Sequence, residues 1–365
     1  MVLLSLSAIL TPFLTAMSIS EGLKKESRAV LESGADLYIT QDQFGSNAPI
    51  PLSTIQGLAT LPGVKEVIPR VIGRTYLDNT FLAVLGISPD HLPPALSISQ
   101  GRGYRQPGEV LIGEGLAVQA RIKPGQKFFL SRHPAQIFEV VGLFRSTYTI
   151  WNSDLLIMSL DDAAQLFQLP GKATDLVLKT LPGYEDPLAE KILLMSEAQP
   201  GWSAPLRVQT KTLVKSYILR GFDIKAGVFS GIYSLAFLLA IPILLVSTGL
   251  GLAARKREIG IIKALGWQTQ EVLILMGLEN AFLAFLSIPF ILLLSQLWLK
   301  IFNGYFINRF FVANWEILPP FSIPAESFPI PFLLTFFLVL ILTLVGSLYS
   351  TWRMAIAPPH EAMHG

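Results

Sequence analysis

Four apolar runs punctuate an otherwise mixed chain: Val2–Ser20, Ala226–Ala254, Val272–Leu299 and Ser327–Trp352. A helix needs roughly 20 apolar residues to cross a bilayer. The first, second and fourth runs carry no charge, and the third carries only Glu279. The later runs contain Pro242, Pro289 and Pro331, and a membrane helix absorbs a proline as a kink or near its end. The first run, with Pro12 inside it, has no basic segment before it and a weak small-residue pattern at Ala16–Ser20. It is expected to be a transmembrane helix, not a cleaved signal peptide, with a basic lead-in missing at this start site.

Between the first two runs, the pattern from Glu21 to Asp223 changes to that of a folded soluble insert, long enough for its own core. Ile19, Leu23, Val30 and Leu31 form an apolar stripe, so Glu21–Ser33 reads as a helix continuing from the first run, with Gly34 as its stop. Strands are expected at Asp36–Thr40, Lys65–Val71, Phe81–Gly86, Glu109–Ile112, Lys127–Leu130, Phe138–Phe144, Leu155–Met158 and Leu176–Lys179. Helices are expected at Ser53–Leu61, Glu114–Ala120, Ser159–Phe167 and Pro187–Ala198. Ser159 suits an N-cap, with Asp161 and Asp162 in the first turn. Val208–Asp223 reads as a helix leading into the second run. This mixed order favours α+β over a doubly wound sheet. Leu318–Pro331 reads as a proline-rich loop.

The connection between the second and third runs is short and charged. It reads Arg255-Lys256-Arg257-Glu258-Ile259-Gly260-Ile261-Ile262-Lys263-Ala264-Leu265-Gly266. The loop Arg255–Glu271 carries four Lys or Arg, while Lys300–Glu326 carries Lys300 and Arg309. Basic short loops stay in the cytoplasm, which puts 255–266 inside, the insert outside and both termini inside; Arg353 agrees. Lys24, Lys25 and Arg28 argue the other way, but they precede a long segment, and long segments translocate largely regardless of charge. Glu21, Glu26 and Glu32 interleave with them as on a solvated face.

Composition supports a membrane protein: 51% of residues are hydrophobic and 15% charged, against about 25% charged in soluble proteins. The net charge of +2, without a basic run interleaved with aromatics, argues against nucleic acid. The chain has no cysteine, which excludes disulfides, thiolate metal sites and a cysteine nucleophile.

The search for chemistry favours bland readings. No G-x-x-x-x-G-K-[ST] occurs, so the chain is not a P-loop ATPase by itself. Gly101-Arg102-Gly103 is only a fragment of a glycine-rich loop. No G-x-S-x-G elbow is present. His91 and His133 are isolated; His360 and His364 lie four apart in a proline-led tail and read as a chance pair. Asp161–Asp162 is explained by the helix start. Glu279 stands apart: it lies about 10 Å along the helix from Val272, and carboxylates inside spans are functional by default. The competing structural reading has it snorkelling to the headgroups or pairing with Arg255 or Lys256.

Several segments together resemble the FtsX-like, MacB-like permeases of the type VII ABC transporter group. They are Ser247-Thr248-Gly249, Arg257–Ile261, Lys263–Gly266 and Leu278-Glu279. Ala357–Met363 is similar to the family's terminal element, with Met363 and His364 in place of Leu-Arg. The insert resembles the MacB-like periplasmic core at Val84–Gly86, Ser88-Pro89, Gly108–Gly115, Pro124-Gly125, Val140–Phe144 and Met158–Leu166.

The resemblance implies a four-span membrane protein. Its first helix would be residues 1–20, its extracytoplasmic α+β domain with helical stalks 21–223, and its permease domain 224–365, in a bacterial cytoplasmic membrane. It also implies a second permease copy or relative, and a cytoplasmic ATPase subunit that binds ATP and Mg, with no cofactor in this chain. Residues 255–266 would be the coupling helix, through Arg255, Arg257, Glu258, Ile259, Gly260, Lys263, Ala264 and Gly266. ATP-driven closure would then move the stalks and reshape the outer domain. Two outputs follow: export or extraction of an amphipathic small molecule, peptide, haem or lipoprotein, or signalling to an extracytoplasmic partner such as a cell-wall hydrolase or a sensor kinase. The size of the insert favours export.

Overall fold

The computed structural model describes residues 2–78, 80–198, 205–249, 252–312 and 322–356, without the side chains at 2, 197–198, 239–249, 252–257 and 344–356. Its described parts fall into two compact units. One draws on 1–23, 222–311 and 323–365, the other on 24–221 and 312–322.

Helix α1 (Val2–Glu32) opens the chain and supplies residues to both units. The outer unit then runs β1 (Leu37–Gln43), β2 (Ser46–Ala48), β3 (Ile50–Pro51), α2 (Thr54–Ala59), β4 (Val64–Leu77), β5 (Thr80–Gly86), β6 (Leu96–Gly101), β7 (Glu109–Gly113) and α3 (Glu114–Ala120). It continues with β8 (Lys127–Leu130), β9 (His133–Ser146), α4 (Trp151–Asp154), β10 (Leu155–Met158), α5 (Leu160–Leu166), β11 (Lys172–Ala173), β12 (Asp175–Thr180), α6 (Glu185–Ala198) and β13 (Leu206–Thr210). The main sheet has the order β13-β1-β12-β4-β5-β10-β7-β9-β6. β5 with β10 and β7 with β9 are parallel, and the other pairs along this path are antiparallel. The fold is therefore α+β.

The long strand β4 joins two halves of the sheet. Val64–Arg70 pairs with β12, and Val71–Leu77 pairs with β5. On the first half, Leu37, Ile39, Leu176 and Leu178 pack with Leu58 of α2 and Leu188 and Ile192 of α6. On the second, Val84, Ile112, Val140 and Leu156 pack with Leu116 of α3 and Ala163 and Leu166 of α5. The opposite face has its own core of Leu85, Tyr104, Leu111, Phe144 and Ile157. With both faces covered, every residue of β7 and β10 is buried, which is why those strands read as unbroken apolar runs instead of alternating ones. Helix α5 starts as its sequence demands: Ser159 Oγ accepts from Asp162 N at 3.1 Å.

Two expectations change, and one strand had no counterpart among them. Val208–Thr210 is strand, not helix, because Leu206–Gln41 and Val208–Ile39 register β13 against β1; the helix begins at Lys211. Gly34 lies just beyond α1 but lacks the positive φ of a left-handed cap. Its hydrogen instead leaves room for the Tyr38 hydroxyl, 3.1 Å from where a Cβ would sit. Strand β6 carries the polar run Ser97-Ile98-Ser99-Gln100, because it is the exposed edge of the sheet and needs only backbone pairing with β9.

The membrane unit holds α7 (Lys211–Gly249) from Phe222 onward, α8 (Leu252–Ala264), α9 (Thr269–Phe302), α10 (Asn308–Phe311) and α11 (Ile330–Ile356). Leu6, Leu10 and Leu14 of α1 pack against Ala284, Ile288 and Ile291 of α9 and Val339 and Leu342 of α11. Hydroxyls stitch the unit: Thr15 Oγ1 of α1 lies 2.9 Å from Ser295 Oγ of α9, and Ser18 Oγ of α1 lies 3.0 Å from Ser327 Oγ, just before α11. In lipid such polar contacts and close packing replace the hydrophobic drive. A Cβ on Gly22 would come within 2.4 Å of the Pro324 backbone, so α1 and that segment meet only because Gly22 has no side chain. Among the described residues, α1 and α9 are long and apolar enough to cross a membrane; the described apolar part of α11, Ile330–Thr343, is shorter.

Candidate coupling site

The charged stretch folds as helix α8 followed by a tight reversal into α9. Gly266 adopts φ +96°, a conformation open to glycine at little steric cost. Its N–H donates to Lys263 O at 3.0 Å, and Trp267 N–H to Ile262 O at 3.3 Å. This pair of bonds is the Schellman stop of a helix. Two residues later Gln268 caps α9: its side chain accepts from the backbone of Glu271, and Glu271 Oε2 accepts from Gln268 N at 2.8 Å. Both helix ends are thus satisfied inside a turn of a few residues. Buried Ile259 and partly buried Ile262 of α8 pack on Val272 and Met276 of α9, which closes the hairpin.

The packing sorts the expected coupling residues. Ile259 and Gly260 are buried, Lys263 is half-buried, and Glu258, Ala264 and Gly266 are exposed. Arg255 and Arg257 fall within α8, but their side chains lie outside the described residues. Ile261, exposed at 50%, and Leu265, at 77%, belong to the family-like segments without having been assigned a coupling role, and Trp267, at 43%, lies just beyond them. Glu258, Ile261 and Leu265 recur at helical spacing on one face. Lys263, in the last turn, complements the helix dipole.

Glu279 is exposed on α9, while Asn280 beside it is buried. The segments Ala357–Met363 and His360/His364 lie outside the described residues. Among the described residues, no cluster of three or more His, Asp or Glu could hold a metal ion.

The candidate chemistry of the outer unit turns out to be architectural. Arg102 Nη1 donates to Glu109 Oε2 at 2.8 Å, and the Arg105 N–H donates to the same oxygen at 2.8 Å. The glycine-containing loop therefore wraps its own carboxylate. Arg102 and these N–H groups hold the Glu109 carboxyl down to about 2. Asp162 Oδ2 accepts from Gly108 N at 2.9 Å, tying helix α5 to the same loop.

Residues 230–359 match the FtsX-like permease C-terminal family, and residues 11–192 match the MacB-like periplasmic core domain. Among solved structures, the periplasmic region of MacB from Actinobacillus actinomycetemcomitans is similar at 15% identity and a TM-score of 0.39, covering 51% of this chain and 93% of that one. The extracellular domain of the noncanonic ABC-type transporter YknZ from Gram-positive bacteria is similar at 15% identity and a TM-score of 0.38, covering 48% of this chain and 99% of that one. In this family the ATPase lies in a separate subunit, and members generally work with a cytoplasmic ABC ATPase. With the two family matches running in order along most of its length, the chain belongs to the FtsX-like, MacB-like ABC transporter permeases and is a membrane subunit of that class.

Proposed function

We propose that this chain is the permease of an ATP-driven complex in a bacterial cytoplasmic membrane, which exports an amphipathic substrate or extracts it from the bilayer. The observation that carries this reading is the capped α8–α9 hairpin, rigid at its base and bearing exposed Ile261, Leu265 and Trp267 beside Glu258. An apolar knob with a charged flank suits insertion into a groove of a cytoplasmic ATPase. Four spans, with α1, α7, α9 and α11 as their cores, place both termini and α8 inside and the α+β unit outside. Two permeases and two ATPase subunits form the working complex. ATP-driven closure of the ATPases pulls on α8, and α1 and α7 carry the movement outward as continuous helices. Glu258 contributes charge complementarity at the docking surface, while buried Ile259 and Gly260 hold the hairpin together.

The test is co-purification with the cognate ATPase. Leu265→Asp adds a charge to a position that is 77% exposed, so folding and membrane insertion are retained while complex formation is lost. Reversing Glu258 to Arg has the same effect, since like-charge juxtaposition at an interface costs up to several kcal/mol. Full complex formation and full ATP-dependent output in both variants would show that α8 only sets topology.

A further inference from the structure

Helix α1 joins the sheet of the outer unit through a short irregular link, residues 33–35, followed by Asp36. Asp36 is fixed to the first half of the sheet. Its N–H donates to Leu178 O at 2.9 Å, its carbonyl accepts from Lys211 N–H at 2.8 Å, and its Oδ1 lies 2.8 Å from Lys211 Nζ. Beside the link, Glu32 Oε1 of α1 lies 2.8 Å from Lys215 Nζ of α7. That pair is exposed, and exposed ion pairs restrain little. On these contacts alone α1 could pivot at the link, where Gly34 restricts the backbone least.

A second contact removes that freedom. Glu26, expected on a solvated face, is half-buried. One of its oxygens accepts from Thr149 N–H at 2.8 Å and the other from the Thr149 hydroxyl at 2.6 Å. Hydrogen bonds to a carboxylate are among the strong ones. Thr149 belongs to the loop between β9 and α4, and that loop is rigid. Asn152 Oδ1 accepts from Ser146 N–H at 2.6 Å, Asn152 Nδ2 donates to Ser146 O at 3.2 Å, and Tyr148 N–H donates to Ser146 Oγ at 3.0 Å. The Asn152 carbonyl oxygen would lie 2.3 Å from a Cβ on Gly113 of β7 and 2.8 Å from one on Gly115 of α3. The loop is therefore seated directly on the second half of the sheet.

Helix α1 is thus held at two places. Its covalent link leads into the first half of the sheet, and Glu26 grips the second half about 9 Å back along the helix from Glu32. A helix held at its end alone pivots there, and movement is absorbed in the link. Held at both places it carries the outer unit with it. We propose that the Glu26–Thr149 clasp is the joint through which movement of α1 turns the outer unit, with Glu26 and Thr149 as its positioning residues. The proposal rests on the transport reading above and assigns the contact that delivers its stroke to the outer unit.

The experiment uses the full chain with its ATPase in phospholipid nanodiscs and spin labels on introduced cysteines, which the cysteine-free sequence allows. One pair, Ala29→Cys with Lys123→Cys, reports α1 against the second half of the sheet; the other, Lys123→Cys with Lys300→Cys, reports the outer unit against α9. All three positions are exposed. At rest the first pair should give one narrow distance distribution. Thr149→Val removes the hydroxyl donor and keeps the backbone one, so the unclasped fraction should rise about tenfold, the effect of losing a hydrogen bond to a charged group, and the distribution should broaden. Glu26→Ala should broaden it further, and Thr149→Ser, which keeps both donors, should leave it narrow. On trapping ATP with vanadate, the second pair should shift in the wild type and in Thr149→Ser, and lose most of that shift in Thr149→Val and Glu26→Ala. ATPase binding and the protease resistance of the outer unit should be unchanged in all three variants. A contact serving stability alone would lower the melting temperature and leave the shift intact. First-pair distributions that stay narrow in Thr149→Val and Glu26→Ala, or an undiminished ATP-dependent shift, overturn the clasp and leave the transport reading standing. A wild-type complex whose second pair does not shift defeats the transport reading, and the joint with it.

Discussion

Gly266 offers a graded test of the hairpin. Its φ of +96° has no neighbour within 4 Å of an added Cβ, so the penalty for a substitution there comes from the backbone alone. An L-residue in a left-handed conformation costs about 1–2 kcal/mol, and the Schellman bonds from Gly266 N and Trp267 N exist only in that conformation. Gly266→Ala should therefore shift the turn toward unreversed forms without touching the packed side chains. If the ATPase recognises the closed hairpin, a loss of about 1.4 kcal/mol appears as a roughly tenfold weaker affinity. Gly266→Asn provides the control, because asparagine tolerates the left-handed region; it should recover most of that loss. Affinity is measured by titrating the purified ATPase onto the permease in nanodiscs, with protease resistance of the outer unit as a check on folding. Binding by Gly266→Ala equal to wild type, or a loss that Asn does not recover, would refute the idea that turn geometry organises the docking surface.

Asp154 makes the outer unit sensitive to pH. Its Oδ1 is buried without a partner, and burial pushes its carboxyl up to about 7 despite nearby Arg74. Because the folded value exceeds the unfolded one, the stability it contributes is present below about pH 4 and is lost as pH rises through about 7. Asp154→Asn should raise stability at pH 8 by roughly 1–3 kcal/mol and flatten the change between pH 5 and 8 in thermal melts; an unchanged pH profile would contradict this. For topology, single cysteines at Ser131 and Thr269 in this cysteine-free chain should react differently with an impermeant thiol reagent in intact cells. Ser131→Cys should label and Thr269→Cys should not, and the reverse would invert the proposed layout.

Local patterns carried much of this protein in plain view. The capping Ser159, the acidic first turn after it and the apolar run Leu155–Met158 define strand, cap and helix within a dozen residues, and the structure has them where the pattern put them. The helix at Glu114–Ala120 and the strand at Lys127–Leu130 were legible for the same reason: a short run whose periodicity and ends agree. The permease signature at Arg257–Gly266 pointed to a short charged helix, which the structure forms and stops at Gly266. Strand β6 and Val208–Thr210 could not be read that way. An edge strand draws its stability from the backbone of its neighbour, so its side chains need no pattern, and Val208 is a strand residue because Ile39 lies beside it. Nor could the sequence tell Ile259 from Ile261, two residues of the same type within one turn. Burial against Val272 and Met276 removes the first from any partner, while the second stays open at the surface. Chemical type and spacing settle what a segment can become, and only packing decides which of its identical side chains are left to meet something else.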